Sequence, residues 1–309
     1  MKRNIKKFLF PAVAVAVLSF AACSDWTETE SLDINYPTLE EQNPELYKQY
    51  LKALRDYKAG EHKVVLVSMD NTTSAPAQRN EHLTTMPDSV DIICLMNPDN
   101  LHPTLAGEFA KVREKGTRVI YNIDYNAIEK LWEKVLADEE ANKPEEPTNP
   151  STPEATQDEG GEGGGEGEPT PEEELELRFL EFCRQQTVSQ LNLCAKYGYD
   201  GVQVNYTGRA PQAMQEEEKA QYAARQEAFF SNVKTWNEAN SGKVLVFQGN
   251  PQNLIDKSVL GECDYIVIPA LTATSADKMS FAVLMAAVED VPTDRLVIGV
   301  TTPSLTDLS

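Results

Sequence analysis

Three polar side chains at alternate positions of one apolar segment are the first residues in this sequence whose spacing suggests chemistry. The segment is GVQVNYT, residues 201–207, and its polar positions are Gln203, Asn205 and Thr207. Because side chains alternate between the two faces of a β-strand, these three share one face and the intervening apolar residues share the other. Amides and hydroxyls bind neutral ligands through hydrogen bonds, but Thr207 cannot act as a general acid at neutral pH.

Polar residues also follow most of the other predicted strands. Amides both donate and accept hydrogen bonds, which suits sugar hydroxyls, and an aromatic ring after a strand offers a stacking surface. Asn and Asp also favour strand ends and turns for structural reasons, so that alternative stays open. The predicted ligand-binding residues are Asp70, Asn97, Asn122, Asp124, Tyr125, Asn205, Thr207, Gln248 and Asn250.

Seven short apolar runs predict the strands that carry these residues. Most are almost continuously apolar, as expected for parallel strands covered by helices on one side. The runs are residues 63–69, 90–96, 118–123, 201–206, 243–247, 265–269 and 296–300.

Segments with apolar residues at three-to-four spacing alternate with the strands and predict helices. They are residues 41–58, 103–115, 127–136, 171–197, 213–239, 253–260 and 275–288. Alternation of this kind predicts parallel β/α units. No Gly-x-Gly-x-x-Gly motif follows the first strand, which argues against a dinucleotide-binding sheet and favours a TIM-type (β/α)8 barrel. The sequence stops shortly after the seventh run, so we expect a barrel truncated after strand 7.

The amino-terminal residues predict an exported protein. Four basic residues precede the apolar stretch 8–20, which is short for a membrane span. The following LSFAAC, which ends at Cys23, resembles a bacterial lipobox, in which the cysteine is lipidated. We therefore predict a signal peptide over 1–22, lipidation of Cys23, and an outer-membrane lipoprotein at the cell surface.

Charge and composition divide the rest of the chain. The formal net charge of −21 argues against a nucleic-acid partner. Residues 138–174 contain fourteen acidic residues, one basic residue and no aromatic residue, which predicts a disordered insert. The predicted organisation is a tether and helix over 23–61 and one barrel over 62–309 that contains this insert. With three histidines and no Cys-x-x-Cys, we expect neither a metal nor a cofactor.

The segment YGYDGVQVNYT resembles the fourth-strand signature of glycoside hydrolase family 18, the chitinases and endo-β-N-acetylglucosaminidases. That signature reads Asp-Gly-x-Asp-x-Asp-x-Glu, and Asp200 and Gly201 match its first two positions. Gln203 and Asn205 occupy the positions of the two following aspartates, and Thr207 occupies the position of the catalytic glutamate.

The resemblance implies a barrel that recognises glycans containing N-acetylglucosamine, with the degenerate motif positions leaving no catalytic residue. It also implies a Bacteroidetes surface lipoprotein that works with components of a glycan-uptake system. One alternative is an active glycosidase of the endo-β-N-acetylglucosaminidase or chitinase type with displaced carboxylates, supplied by Asp70 or Asp124. Another is a structural lipoprotein without a sugar site.

Overall fold

The computed structural model of this chain describes residues 37–72, 75–143 and 169–302. The predicted signal peptide, Cys23 and most of the predicted acidic insert therefore lie outside the described residues. The chain divides into two compact units, residues 1–50 and residues 51–309.

The described part of the first unit is helical. Helix α1, Leu39–Gln42, begins at a capping box in which Thr38 and Glu41 bond to each other's backbone N–H groups. Helix α2, Pro44–Ala59, starts in this unit and continues into the second. These short-range contacts are those that the sequence Thr-x-x-Glu favours at a helix start.

The second unit contains one sheet of seven parallel strands in chain order. The strands are β1 Leu66–Met69, β2 Ile92–Leu95, β3 Arg118–Asp124, β4 Gly201–Tyr206, β5 Val244–Gly249, β6 Tyr265–Pro269 and β7 Leu296–Gly299. Within the described residues β1 pairs only with β2, and β7 pairs only with β6. Sequential parallel pairing with intervening helices is the TIM-type α/β architecture that the alternation predicted.

Besides several short 3-10 helices, six further α-helices lie in the described part of this unit. They are α3 Pro103–Glu114, α4 Tyr125–Ala141, α5 Pro171–Tyr197, α6 Glu216–Ala239, α7 Ser258–Glu262 and α8 Ala276–Ala286. Helix α5 matches its predicted bounds, whereas α4 is longer at both ends. A search of the described helices finds none that is both long and apolar enough to cross a bilayer.

The predicted bounds of the acidic insert, 138–174, are wrong at both ends. Residues 138–141 belong to α4, and residues 171–174 form the first turn of α5. A capping box between Thr170 and Glu173 starts α5, with Pro171 at its first position, and a bond from Arg178 to Glu139 holds the end of α4. Acidic residues near a helix amino terminus favour the helix, so composition alone misplaced these boundaries.

The strands separate two apolar cores. Side chains such as Val202, Val204 and Tyr206 face outward and pack beneath the helices, together with residues of β2, β3, β5 and β6. A smaller cluster that includes Ile120 and Val246 faces inward. The predicted alternation along residues 202–206 is therefore confirmed, and Gln203 and Asn205 face the interior.

An aspartate directly precedes each of the strands β2, β4 and β6. At the amino edge of the sheet it fixes the register of that strand against the strand before it. In each case the aspartate backbone N–H donates to a carbonyl of the preceding strand, and its carboxylate accepts the N–H of that same residue at 2.8 to 2.9 Å. The pairs are Asp91 with Val65, Asp200 with Val119, and Asp264 with Leu245. Bonds to ionised acceptors are about twice as strong as neutral ones, so each clamp stabilises one strand pair.

At the carboxyl edge, Gly249 lets β5 run directly against β4. A Cβ atom at this position would lie 1.9 Å from the carbonyl oxygen of Tyr206, and the φ angle is +136°. The N–H of Asn250 donates to that same carbonyl at 3.1 Å. Only glycine satisfies both the contact and the backbone conformation.

We expect Gly249→Ala to lower the free energy of unfolding by about 3 kcal/mol or more, because the strands must separate to admit the methyl group. The matched control is Gly107→Ala, since no atom lies within 4 Å of a Cβ there. In the interior of α3 this change should raise stability by about 0.5–1 kcal/mol. Urea unfolding of both variants checks this, and equal effects would contradict the close approach.

Candidate functional site

Three amides from adjacent strands meet inside the carboxyl half of the sheet. Gln203 of β4 is fully buried, and its Nε2 donates to Asn122 Oδ1 of β3 at 3.2 Å and to Gln248 Oε1 of β5 at 2.8 Å. Both hydrogens of the Gln203 amide are thereby used. The two neighbouring amides each accept through their oxygens, which leaves their NH2 groups as donors for other partners.

The carbonyl oxygen of Gln203 has no hydrogen-bond partner among the described residues, although the oxygen is buried. An unsatisfied buried acceptor costs about 1–3 kcal/mol, and natural proteins keep few of them. A ligand that donates an N–H or O–H to this atom would remove that cost. The amide cluster therefore has the features of a binding site rather than of a structural core.

Asn205 lies farther along β4 toward the carboxyl edge, and Thr207 directly follows the strand. The two side chains differ in whether another residue holds them. Asn205 is half-buried and lies between Asp124 and Gln248 in the strand registers, and its side chain has no hydrogen bond to another described residue. Thr207 Oγ1 accepts from Asn126 Nδ2 at 3.0 Å. Asn205 thus remains available to a ligand, and Thr207 is tied to the start of α4.

Asn250 has a structural task at this edge. Its Nδ2 donates to the Thr207 carbonyl at 3.1 Å, and Asn253 Nδ2 donates to the same carbonyl at 2.7 Å. The two amides hold the loop after β4. Asn250 was predicted to bind ligand, but its donor group is committed to the backbone.

The two predicted carboxylates lie on strands that are not neighbours. Asp70 after β1 is exposed, and its Oδ1 accepts from Asn97 Nδ2 at 3.0 Å and from the Thr72 N–H at 3.0 Å. Asp124 ends β3 and caps α4 by accepting the Asn126 N–H at 2.9 Å. Since β2 separates β1 from β3, the two acids do not form a pair on adjacent strands.

Tyr125 does not offer the stacking surface that the sequence predicted. Its ring is only 4% exposed and packs in the outer layer at 5.0 Å from Tyr206 and 5.4 Å from Phe229, measured between ring centroids. Burial raises the pKa of its hydroxyl. Helix α4 starts at this residue, and the first turn directs the ring beneath the helices instead of into the mouth.

Sequence reasoning missed three asparagines that shape the site. Asn71 is buried and exchanges two bonds of 2.8 Å with the backbone of Asn97, which joins the ends of β1 and β2. Asn126 holds Thr207, and Asn253 holds the loop after β4. Asn71 lies two residues and Asn126 three residues after a predicted strand end, whereas nothing in the local sequence indicates the partner of Asn253.

The site has no arrangement typical of a metal centre. Within the three described ranges, no group of three His, Cys, Asp or Glu side chains is placed to hold an ion. Amides and hydroxyls dominate around Gln203, so this arrangement supplies hydrogen-bond donors and acceptors.

A comparison with known protein families finds a family model that matches most of this chain. Residues 27–158 and 172–299 match the model of glycoside hydrolase family 18, BT1044-like. The chain belongs to this family. The predicted resemblance to family 18 is confirmed.

The chain is also similar to several solved structures. A structure of BT1044 shares 15% sequence identity with a TM-score of 0.52, and the match covers 85% of this chain and 74% of that one. A family 18 chitinase from Pseudoalteromonas aurantia shares 10% identity with a TM-score of 0.44, over 76% of this chain and 79% of that one. The spore cortex-lytic enzyme SleL of Bacillus cereus shares 11% identity with a TM-score of 0.43, and the match covers 82% of this chain and 58% of that one. Among curated proteins, none has a sequence that matches this one.

We expect Gln203→Glu to destabilise this family 18 chain at neutral pH by roughly 2–4 kcal/mol, because a carboxylate would be buried among amides without a cation. Burial would raise the pKa of the new carboxyl in the folded state. The loss should therefore be full near pH 7 and shrink as the pH falls and the group takes up its proton.

Urea unfolding at pH 7 and at a lower pH near 4.5 measures this difference, with the exposed Gln212→Glu as the matched control. The control should change stability by less than about 0.5 kcal/mol at both pH values. A Gln203→Glu variant as stable as the control at neutral pH would contradict the buried, neutral character of this position.

Proposed function

We propose that this family 18 chain is a surface-anchored glycan-binding lipoprotein whose barrel is catalytically inactive and recognises glycans that contain N-acetylglucosamine. The observation that supports this most strongly is the buried amide cluster of Gln203, Asn122 and Gln248, which has an unsatisfied acceptor at its centre. It lies where hydrolysis would require ionisable groups.

The chemistry of the strand-four positions argues against hydrolysis. Substrate-assisted cleavage needs a proton donor at the glycosidic oxygen and a charge that stabilises the reacting acetamide. Thr207 supplies only a hydroxyl, which Asn126 already engages, and Asn205 is uncharged. Loss of a positioned general acid costs about 10²- to 10⁴-fold in rate.

The same residues suit binding. A sugar hydroxyl or acetamide N–H would donate to Gln203 Oε1, and its oxygens would accept from the NH2 groups of Asn122 and Gln248. Half-buried Asn205 adds one more donor and acceptor toward solvent. A site built on buried amides rejects ligands that leave these groups unpaired, which is the basis of hydrogen-bond specificity.

A second candidate function is hydrolysis through displaced carboxylates. The observation in its favour is the register of β3 against β4, which sets Asp124 beside Asn205 at the same level of the sheet. A carboxylate at this height lies one strand away from Asn205, the position at which the family signature has its last aspartate. We rank it second because Asp124 already caps α4 through the Asn126 N–H.

Membrane anchoring through Cys23 follows from the lipobox-like sequence and remains a proposal. It would hold the barrel at the outer membrane, where a glycan-uptake system would be its partner. We expect Cys23→Ala to release the protein from the membrane fraction, because lipid chains contribute about 0.8 kcal/mol for each buried methylene. Fractionation with mass analysis of the mature amino terminus checks this, and an unlipidated but membrane-bound wild type would contradict it.

We expect the purified protein to bind chitooligosaccharides or N-glycans and Gln203→Leu to weaken this binding about tenfold, or about 1.4 kcal/mol, since the buried acceptor and both bridging bonds are lost. Isothermal calorimetry measures the affinities. The control is Gln185→Leu, the same change at an exposed position of α5, which should leave affinity unchanged.

Hydrolysis assays on the same glycans separate the two candidate functions. Binding without turnover supports the inactive barrel. Turnover that Asp124→Asn abolishes would support the displaced-carboxylate hydrolase. Failure of every glycan to bind, in a protein shown to be folded by its urea transition, would overturn both.

A further inference from the structure

Helix α5 extends beyond the carboxyl edge of the sheet, beside the candidate site. Tyr121, three residues before the end of β3, donates its hydroxyl to the Gln190 carbonyl at 2.7 Å. Cys183 lies seven residues before Gln190, about 10 Å along the helix, which equals the remaining length of β3. Cys183 therefore lies about level with the strand end, and residues 171–182 lie beyond it.

Helix α6 extends past the same edge. Gln226 Nε2 donates to the hydroxyl of Tyr206, the last residue of β4, at 2.8 Å. The ten residues 216–225 precede this contact and continue for about 15 Å. The pairing of Arg225 with Glu176 at 2.6 to 2.7 Å ties this segment to the projecting part of α5.

Helix α4 completes the projection because it runs antiparallel to the start of α5. Its Trp132 ring packs against Phe179 and Phe182, with centroids 6.1 Å and 5.2 Å apart, and Glu139 near its end bonds Arg178 at 2.6 Å. We call α4, residues 171–183 and residues 216–225 the helical rim. It stands outside β3 and β4, the strands that carry Asn122 and Gln203.

The helical rim is strongly acidic. It contains thirteen acidic and five basic side chains, a formal charge of −8 out of −21 for the whole chain. Part of this charge is paired within the rim and with Arg209 of the loop after β4, which contacts Glu218. Several exposed carboxylates of the rim have no ion pair among the described residues, and four of these, Glu172, Glu174, Glu216 and Glu217, lie in the first turns of α5 and α6.

The rim contrasts with the mouth that it borders. The cluster of Gln203, Asn122 and Gln248 is uncharged, and the buried oxygen of Gln203 has no hydrogen-bond partner among the described residues. Neutral amides do not discriminate ligands by charge. The electric field of the rim discriminates ligands by charge, because unpaired carboxylates beside a cleft raise the local concentration of cations and lower that of anions.

We propose that the helical rim selects glycans by charge, so that the site takes N-acetylglucosamine-containing oligomers that also carry protonated amines in preference to neutral ones and disfavours glycans that carry carboxylates. This inference rests on the proposed glycan-binding function and adds the charge class of the ligand. Protonated amines of sugars without N-acetyl groups are the cations that combine a sugar's hydroxyls with positive charge.

The test compares three tetrasaccharides with β-linked backbones. The probes are a tetramer that alternates glucosamine with N-acetylglucosamine, the N-acetylglucosamine tetramer, and a tetramer that alternates glucuronate with N-acetylglucosamine. Affinities and association rates are measured near pH 6 in about 20 mM and about 500 mM salt, because the Debye length falls several-fold between the two. At low salt we expect the cationic tetramer to associate about tenfold faster than the neutral one and the anionic tetramer to bind most weakly.

The variant that isolates the rim is the quadruple Glu172→Gln, Glu174→Gln, Glu216→Gln, Glu217→Gln. Its matched control changes four exposed acids near the amino edge of the sheet, namely Glu61→Gln, Glu114→Gln, Glu238→Gln and Glu289→Gln. We expect the rim variant to reduce the cationic preference to about threefold or less with unchanged affinity for the neutral tetramer, and the control to retain the full preference.

The outcomes separate this inference from the function on which it rests. Binding of the neutral tetramer without any charge preference, or a preference that both quadruple variants reduce equally, overturns charge selection by the rim and leaves glycan binding standing. Failure of all three tetramers to bind overturns the proposed function itself. A preference for the anionic tetramer contradicts the inference directly.

Discussion

The hydrogen-bonded register of β4 between β3 and β5 is the constraint on which the rest of this structure depends. It sets Asn122 beside Gln203 and Asn205 beside Gln248, so three strands deliver their amides to one point. The aspartate clamp at Asp200 fixes this register at the amino edge, and the close approach at Gly249 fixes it at the carboxyl edge. A slip of one residue would turn every inward side chain outward.

Neutral and charged groups are separated at the carboxyl face. The interior holds amides with one buried, unsatisfied oxygen, whereas carboxylates concentrate on helices that project outside β3 and β4. Buried charge without a partner is costly, but exposed charge on a helix is not. The two regions therefore suit different tasks: short-range hydrogen bonding in the mouth and long-range attraction or repulsion at its border.

Local patterns predicted much of this molecule. Continuous apolar runs located all seven strands, and α5 was predicted with its observed bounds because a proline start and a long periodic pattern define it. Alternation along β4 predicted that Gln203 faces inward, and the fourth-strand motif predicted the family. Boundaries failed where composition misled: the acidic residues 138–141 and 171–174 are helical, since helices tolerate exposed charge and favour acids at their amino termini.

The sequence by itself determined where the strands lie along the chain, which face of β4 points inward and the absence of an ionisable side chain at its three polar positions, because these depend on local apolar patterns and residue type. Only the tertiary structure decided which of the predicted site residues are free to bind. It buried Tyr125 beneath α4, committed Asn250 to a backbone carbonyl and left Asn205 and the oxygen of Gln203 without partners. Those outcomes depend on contacts between residues far apart in the chain, which no local pattern records.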